Sequence, residues 1–126
     1  MIATTRVIAP EYCGIYLTGL EDVDIPLNVD GKGIGATRDC LNIGCLYWND
    51  GDTTVTMGPV DEVALPEEAA FDGTLNTPEG TLLLFDANMP EIMSAAVGSK
   101  ETRVRVWTNH RTEPDHIVIG YEDAGS

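Results

Sequence analysis

The sequence predicts an all-β protein, a two-sheet antiparallel β-sandwich of about eight or nine short strands with at most one short helical turn. Three observations carry this. Short alternating or apolar runs recur along the whole chain, Gly, Pro, Asp and Asn punctuate them at close intervals, and one stretch only has helical character. The clearest run is TRVRVWT at 102–108, where Val104 and Val106 alternate with Arg103, Arg105 and Trp107. Period-two alternation puts the valines on a core-facing side and the two arginines and the tryptophan on the other.

The elements follow in order. Strands are expected near 4–9 (TTRVIA), 12–18 (YCGIYLT), 40–48 (CLNIGCLYW), 53–57 (TTVTM), 60–65 (VDEVAL), 81–86 (TLLLFD), 92–97 (IMSAAV), 102–108 and 116–122 (HIVIGYE). Pro10, between the first two runs, marks a bend or a change of sheet. NDGD at 49–52 is a hairpin signal, because Asp-Gly supplies the positive φ of tight turns. Pro66, Pro78, Pro90 and Pro114 fall in connections, where a missing N–H does no harm. PEEAAF at 66–71 is the one helical candidate, with Pro first and acids near its N-terminus. A small barrel is the alternative closure for such strands.

Organisation is expected to be a single domain over 1–126, with a long loop at 21–39 and a loose tail at 124–126. The start lacks a basic segment followed by a long apolar one, and runs such as LLLF at 82–85 are too short to span a bilayer. These features, with an odd cysteine count (Cys13, Cys40, Cys45) and no Cys-x-x-Cys pair, point to a cytoplasmic protein with reduced, buried thiols.

Charge is the strongest global feature. The 126 residues hold 21 acids against 7 bases, a net charge of −14. A nucleic-acid-binding surface needs a basic patch, and adhesion to anionic membranes needs the same, so both classes are excluded. A field of this sign attracts basic partners.

Motifs for chemistry are weak. GKGIG at 31–35 lacks both the spacing of a phosphate loop and the helix that must follow one. Asp22, Asp24, Asn28 and Asp30 offer oxygens but no closing Glu at position twelve of a calcium loop. His110 and His116 flank a turn without a third zinc ligand. None of Ser94, Ser99 and Ser126 sits in Gly-x-Ser-x-Gly, and no local signature joins a cysteine to a histidine. No catalytic residue, metal site or cofactor is expected, and the chain reads as a non-enzyme.

The second half has a recognisable pattern. FDGTLNTPEGTLLLFDANM (71–89) precedes VGSKETRVRVWTNH (97–110) and PDHIVIGYED (114–123). With DGKGIGATRDCLNIGCLYWNDGDTTVTM (30–57), it resembles a group of small bacterial β-sandwich proteins related to the competence nuclease inhibitor, the ComJ-like proteins. The matching pieces are Gly98, Arg103–Val104–Arg105 and Asp115–His116–Ile117–Val118–Ile119, while Glu101–Thr102 stand where that group usually has a tyrosine. The resemblance implies a β-sandwich that acts as an inhibitor or immunity protein.

The expected function is therefore a non-catalytic acidic binding protein that blocks a basic protein partner such as a nuclease or toxin, as a monomer or weak homodimer. The expected partner-facing residues are Glu21, Asp22, Asp24, Asp30, Asp50, Asp52, Asp61, Glu62, Glu67, Glu68 and Trp107. The alternatives are a structural or regulatory β-module that self-associates, and a small ligand-binding protein with a pocket between its sheets.

Overall fold

Among the described residues, ten strands and one helical turn build two five-stranded sheets. The structure is a computed structural model that describes residues 3–9, 14–20, 34–45, 51–86, 91–98, 100–109 and 114–123. The strands are β1 (Thr4–Ile8), β2 (Gly14–Thr18), β3 (Ile34–Ala36), β4 (Cys40–Gly44), β5 (Thr53–Pro59), β6 (Phe71–Asn76), β7 (Thr81–Phe85), β8 (Met93–Ala96), β9 (Glu101–Thr108) and β10 (His116–Asp123). The helical turn α1 (Val60–Val63) follows β5 directly.

Sheet A has the order β1-β5-β10-β9-β6 and sheet B the order β3-β4-β2-β7-β8. All pairings are antiparallel except β5 with β10, which run parallel with Ile117 beside Val55 and Ile119 beside Met57. The alternation read from the sequence sets the inner faces. Val55, Met57, Val104, Val106, Ile117 and Ile119 of sheet A meet Ile15, Leu17, Leu41, Ile43, Leu82 and Leu84 of sheet B in one apolar core. Most of these side chains are fully buried, each worth roughly 1.5–3 kcal/mol over exposure.

The expected sandwich is thus observed, with corrections to its parts. VDEVAL at 60–65, read as a strand, is the helical turn: Val60 and Val63 stand three apart on one face and both are buried. The expected helix at 66–71 is not formed; those residues are an irregular strap that enters β6. Two strands went unread, β3 inside the expected 21–39 loop and β6. Asn49 and Asp50 of the expected NDGD hairpin lie outside the described residues; the described strands on either side, β4 and β5, belong to different sheets. Gly51 nonetheless has φ 146°, which favours glycine. β1 and β2 also lie in different sheets, as the break at Pro10 suggested; Pro10 itself lies outside the described residues.

Two glycines shape the outer face of sheet A. Gly58 of β5 and Gly120 of β10 are register partners. A Cβ on Gly58 would sit 2.6 Å from Ala3 Cβ, and one on Gly120 3.2 Å from Val60 Cγ2 and 3.3 Å from Trp107 Cζ3. The bare backbone gives α1 a flat floor, and Val60, Val63, Trp107 and Val118 form a second, smaller apolar cluster there.

Candidate functional site

The outer face of sheet A carries the arginine strand. β9 lies between β6 and β10, so Arg105 stands opposite Asp72 of β6 and Arg103 opposite Glu122 of β10. Arg103 grips Asp72 with two bonds, Nε to Oδ1 at 2.9 Å and Nη2 to Oδ2 at 2.7 Å. Glu122 Oε1 accepts from Arg103 Nη1 at 3.3 Å and from Arg105 Nη2 at 2.9 Å. The hydrogen bond from Arg103 is the main reason the Asp72 carboxyl is held below its usual range. This lattice of two arginines and two carboxylates satisfies itself and leaves little net charge for a partner. Arg105 Nε is buried without a hydrogen bond, 3.9 Å from Asp72 Oδ2.

Trp107 continues the same face but is only 4% exposed. The expectation that it anchors a partner is therefore corrected: α1 already covers the ring, and it has no open surface to give. It fastens the strap instead, since its Nε1 donates to the Glu67 carbonyl at 3.0 Å. Leu65 and Glu67 share a small pocket with Trp107, Asn109 and His116, so the strap runs back over sheet A from α1.

The result is an acidic arm. Asp61, Glu62, Glu67 and Glu68 are all exposed, and they lie on the arm formed by α1 and the strap. Asp61, Glu67 and Glu68 make no ion pair among the described residues. Leu65, 38% exposed, sits among them. Asp52 is exposed too, but it precedes β5 while Asp61 follows it, so about seven residues of strand, roughly 20 Å, separate the two. Glu21, Asp22, Asp24, Asp30 and Asp50 lie outside the described residues, as do the glycine loop up to Lys32–Gly33 and His110.

Among the described residues nothing assembles a nucleophile. Cys40 is fully buried, its Sγ donates to the Leu41 carbonyl at 3.5 Å, and burial pushes its thiol up to about 11. A thiol in that state is neutral at physiological pH and unreactive. Cys45 is likewise buried, and Cys13 lies outside the described residues. Among the described residues no three His, Cys, Asp or Glu side chains converge as metal ligands, and no helix is long and apolar enough to cross a membrane. A cleft of about 270 Å³ opens between the sheet ends at Pro59, Asp61, Val97 and Tyr121. Burial, then Glu62, raises the Tyr121 phenol.

Sequence reasoning missed Leu65 as the apolar residue of the arm, and Glu79 and Glu91, which flank a groove on sheet B; the pairing of Arg103 and Arg105 with acids on neighbouring strands is what the alternation of β9 suggests. For Leu65 the signal was present: a large apolar residue between acids and a proline in ALPEE has no partner position in a strand pattern.

No protein-family model matches the chain, and no curated protein matches it. Solved structures do. The crystal structure of ComJ, inhibitor of the DNA degrading activity of NucA, from Bacillus subtilis, is similar at 11% identity, with 94% of this chain and 93% of that one covered and a TM-score of 0.57. A chain described as crocagin biosynthetic gene J is similar at 9% identity over 98% of this chain and 96% of that one, with a TM-score of 0.50. At these identities the likeness is one of fold, and it is the fold the ComJ-like pattern implied.

Proposed function

We propose that this chain is a non-catalytic binding protein that blocks a basic partner protein of the nuclease type. The observation that carries the reading is the acidic arm: Asp61, Glu67 and Glu68, which make no ion pair among the described residues, around the exposed Leu65, on a strap that Trp107 holds to the sheet. Unpaired carboxylates on a fixed support can occupy the positions that nucleic-acid phosphates take in a basic cleft, and Leu65 supplies an apolar contact at the centre. The net charge of −14 gives the protein a field that steers a basic partner toward it. The fold shared with ComJ, a nuclease inhibitor, supports the reading at the level of architecture. The buried thiol of Cys40, protonated at neutral pH, suits a reducing, cytoplasmic setting.

The test uses the full chain and the nuclease or toxin encoded beside its gene. A complex should form, and its association rate should fall at least about tenfold between roughly 50 mM and 500 mM salt. The triple variant D61N/E67Q/E68Q should slow association without unfolding the protein. A complex indifferent to salt, or no complex, defeats the proposal.

A second reading, self-association through a sheet edge, is favoured by β1. This edge strand leaves Val7 63% exposed and carries no acid from Ala3 to Ala9. Sedimentation at several concentrations separates it from the first, since only this reading requires a stable homodimer.

A further inference from the structure

Sheet B carries a second acidic feature of a different kind. A groove of about 190 Å³ runs over its outer face beside β8, an edge strand. Its apolar lining is Leu83 of β7 and Leu20, its hydroxyls are Thr81 and Ser94, and its carboxylates are Glu79 and Glu91. Glu79 lies in the turn before β7 and Glu91 just before β8. Because β7 and β8 are antiparallel, with Thr81 opposite Ala96 and Leu84 opposite Met93, the two acids bracket opposite ends of the ladder. Neither makes an ion pair among the described residues, both are exposed, and no base lines the groove.

Among the described residues no strand pairs with the outer edge of β8. β8 reads Met-Ser-Ala-Ala, with neither proline nor charge, and its outward side chains at 94 and 96 are small. Of the devices by which natural edges prevent strand addition it has only its shortness and a bulge at one end. Where the strand begins, Leu84 is the register partner of Met93 and also accepts the Ile92 N–H at 2.7 Å. Two residues thus face one in a bulge, which buries Ile92 and Met93 together and leaves Glu91 exposed.

We infer that this groove and the β8 edge bind an extended basic segment of the partner protein, added as a strand. Its lysine or arginine side chains meet Glu79 and Glu91, and an apolar residue between them rests on Leu83. Charge complementarity selects this occupant: two unpaired carboxylates at the ends of an apolar floor favour cations at both ends of an extended chain and repel an acidic one. The inference rests on the proposed basic partner but uses a surface separate from the α1 arm.

The test is titration of the full chain, methyl-labelled at leucine, with the peptide acetyl-Lys-Val-Lys-Val-Lys-amide and with its glutamate counterpart. The lysine peptide should shift the Leu83 and Leu20 methyl signals saturably, and the glutamate peptide should not. The double variant E79Q/E91Q, which changes exposed groups only, should weaken the lysine peptide about five- to tenfold, as expected for the loss of two exposed ion pairs. Shifts confined to Leu65, or binding that survives E79Q/E91Q, overturn the groove and leave the acidic arm standing. Equal binding of the two peptides overturns the groove as well. Partner binding that is lost in D61N/E67Q/E68Q while the lysine peptide still binds the groove would instead separate the two surfaces, and would support the inference.

Discussion

The indole of Trp107 and the carbonyl of Glu67 are joined by a 3.0 Å hydrogen bond across a gap of forty residues in sequence. One buried donor on the middle of sheet A therefore fixes the position of the exposed acids on the strap. Trp107→Phe keeps the ring and removes the donor, and should cost about 1 kcal/mol of stability. It should also raise amide exchange at 64–68 more than in the strands. Trp107→Ala leaves a cavity under α1 and should cost about 3–5 kcal/mol in urea unfolding. If exchange of the strap is unchanged in Trp107→Phe, the bond does not hold the arm.

The glycine floor gives a steric test. Gly120→Ala places a methyl group 3.2 Å from Val60 Cγ2 and 3.3 Å from the Trp107 ring. These neighbours belong to a packed cluster that cannot move far, so the variant should lose about 1–3 kcal/mol through overpacking. A Tm within one degree of the parent would show that α1 lifts freely.

Thr53 should respond in the opposite direction. Its side chain is fully buried and its hydroxyl has no hydrogen-bond partner among the described residues. Thr53→Val keeps the shape and removes an unsatisfied polar atom. It should stabilise the protein by about 1 kcal/mol, read as a higher urea midpoint with an unchanged slope.

Acid should weaken the arginine lattice. Asp72 titrates below its unfolded value because Arg103 binds its ionised form. The associated stability is present above the ordinary carboxylate range and is lost as the pH falls through the lowered value. The Arg103–Asp72 pair is nearly half exposed, so solvent screening keeps its contribution small. Asp72→Asn should flatten the acid limb of a stability-against-pH curve and leave the neutral region shifted only slightly.

Base should act on Cys40. Burial raises its folded value to about 11 against an ordinary 9.0. The thiol's contribution is complete below the ordinary value and is lost as the pH climbs from there through 11. Cys40→Ser or Cys40→Ala should remove that part of the alkaline decline, and a thiol reagent at neutral pH should label Cys40 only on unfolding.

Much of the fold was legible because period-two alternation is a local signal that the tertiary structure kept. TRVRVWT and HIVIGYE became β9 and β10, with Val104, Val106, Ile117 and Ile119 inside and Val118 on the outer face under α1. Errors arose where the signal was short or two periods coincided. In VDEVAL the valines three apart fit a helical turn, and burial over the glycine floor decided in its favour. β3 has three residues and β6 contains a glycine under the Phe71 ring, so neither shows a clear alternation. The parallel pairing of β5 with β10 leaves no local trace at all. For the site, the exposed acids of 61–68 were legible from composition, whereas the burial of Trp107 was not, because only the path of the strap determines it. Glu79 and Glu91 were invisible as a pair for the same reason: the β7–β8 ladder alone brings them to one groove.

The place of β10 in sheet A bears on how the molecule is made. Its last strand in sequence is the middle strand in space, flanked by one neighbour from residues 53–59 and another from 101–108. During synthesis, sheet B can gather its strands from residues 14 to 96 while β5 and β9 still lack the ribbon that joins them. Half of the sandwich thus waits with two bare apolar edges until residue 123 leaves the ribosome, and closure then demands a contact spanning some sixty residues, a slow step for any chain. Cropping or stiffening this end would remove the keystone of the sheet rather than trim a border.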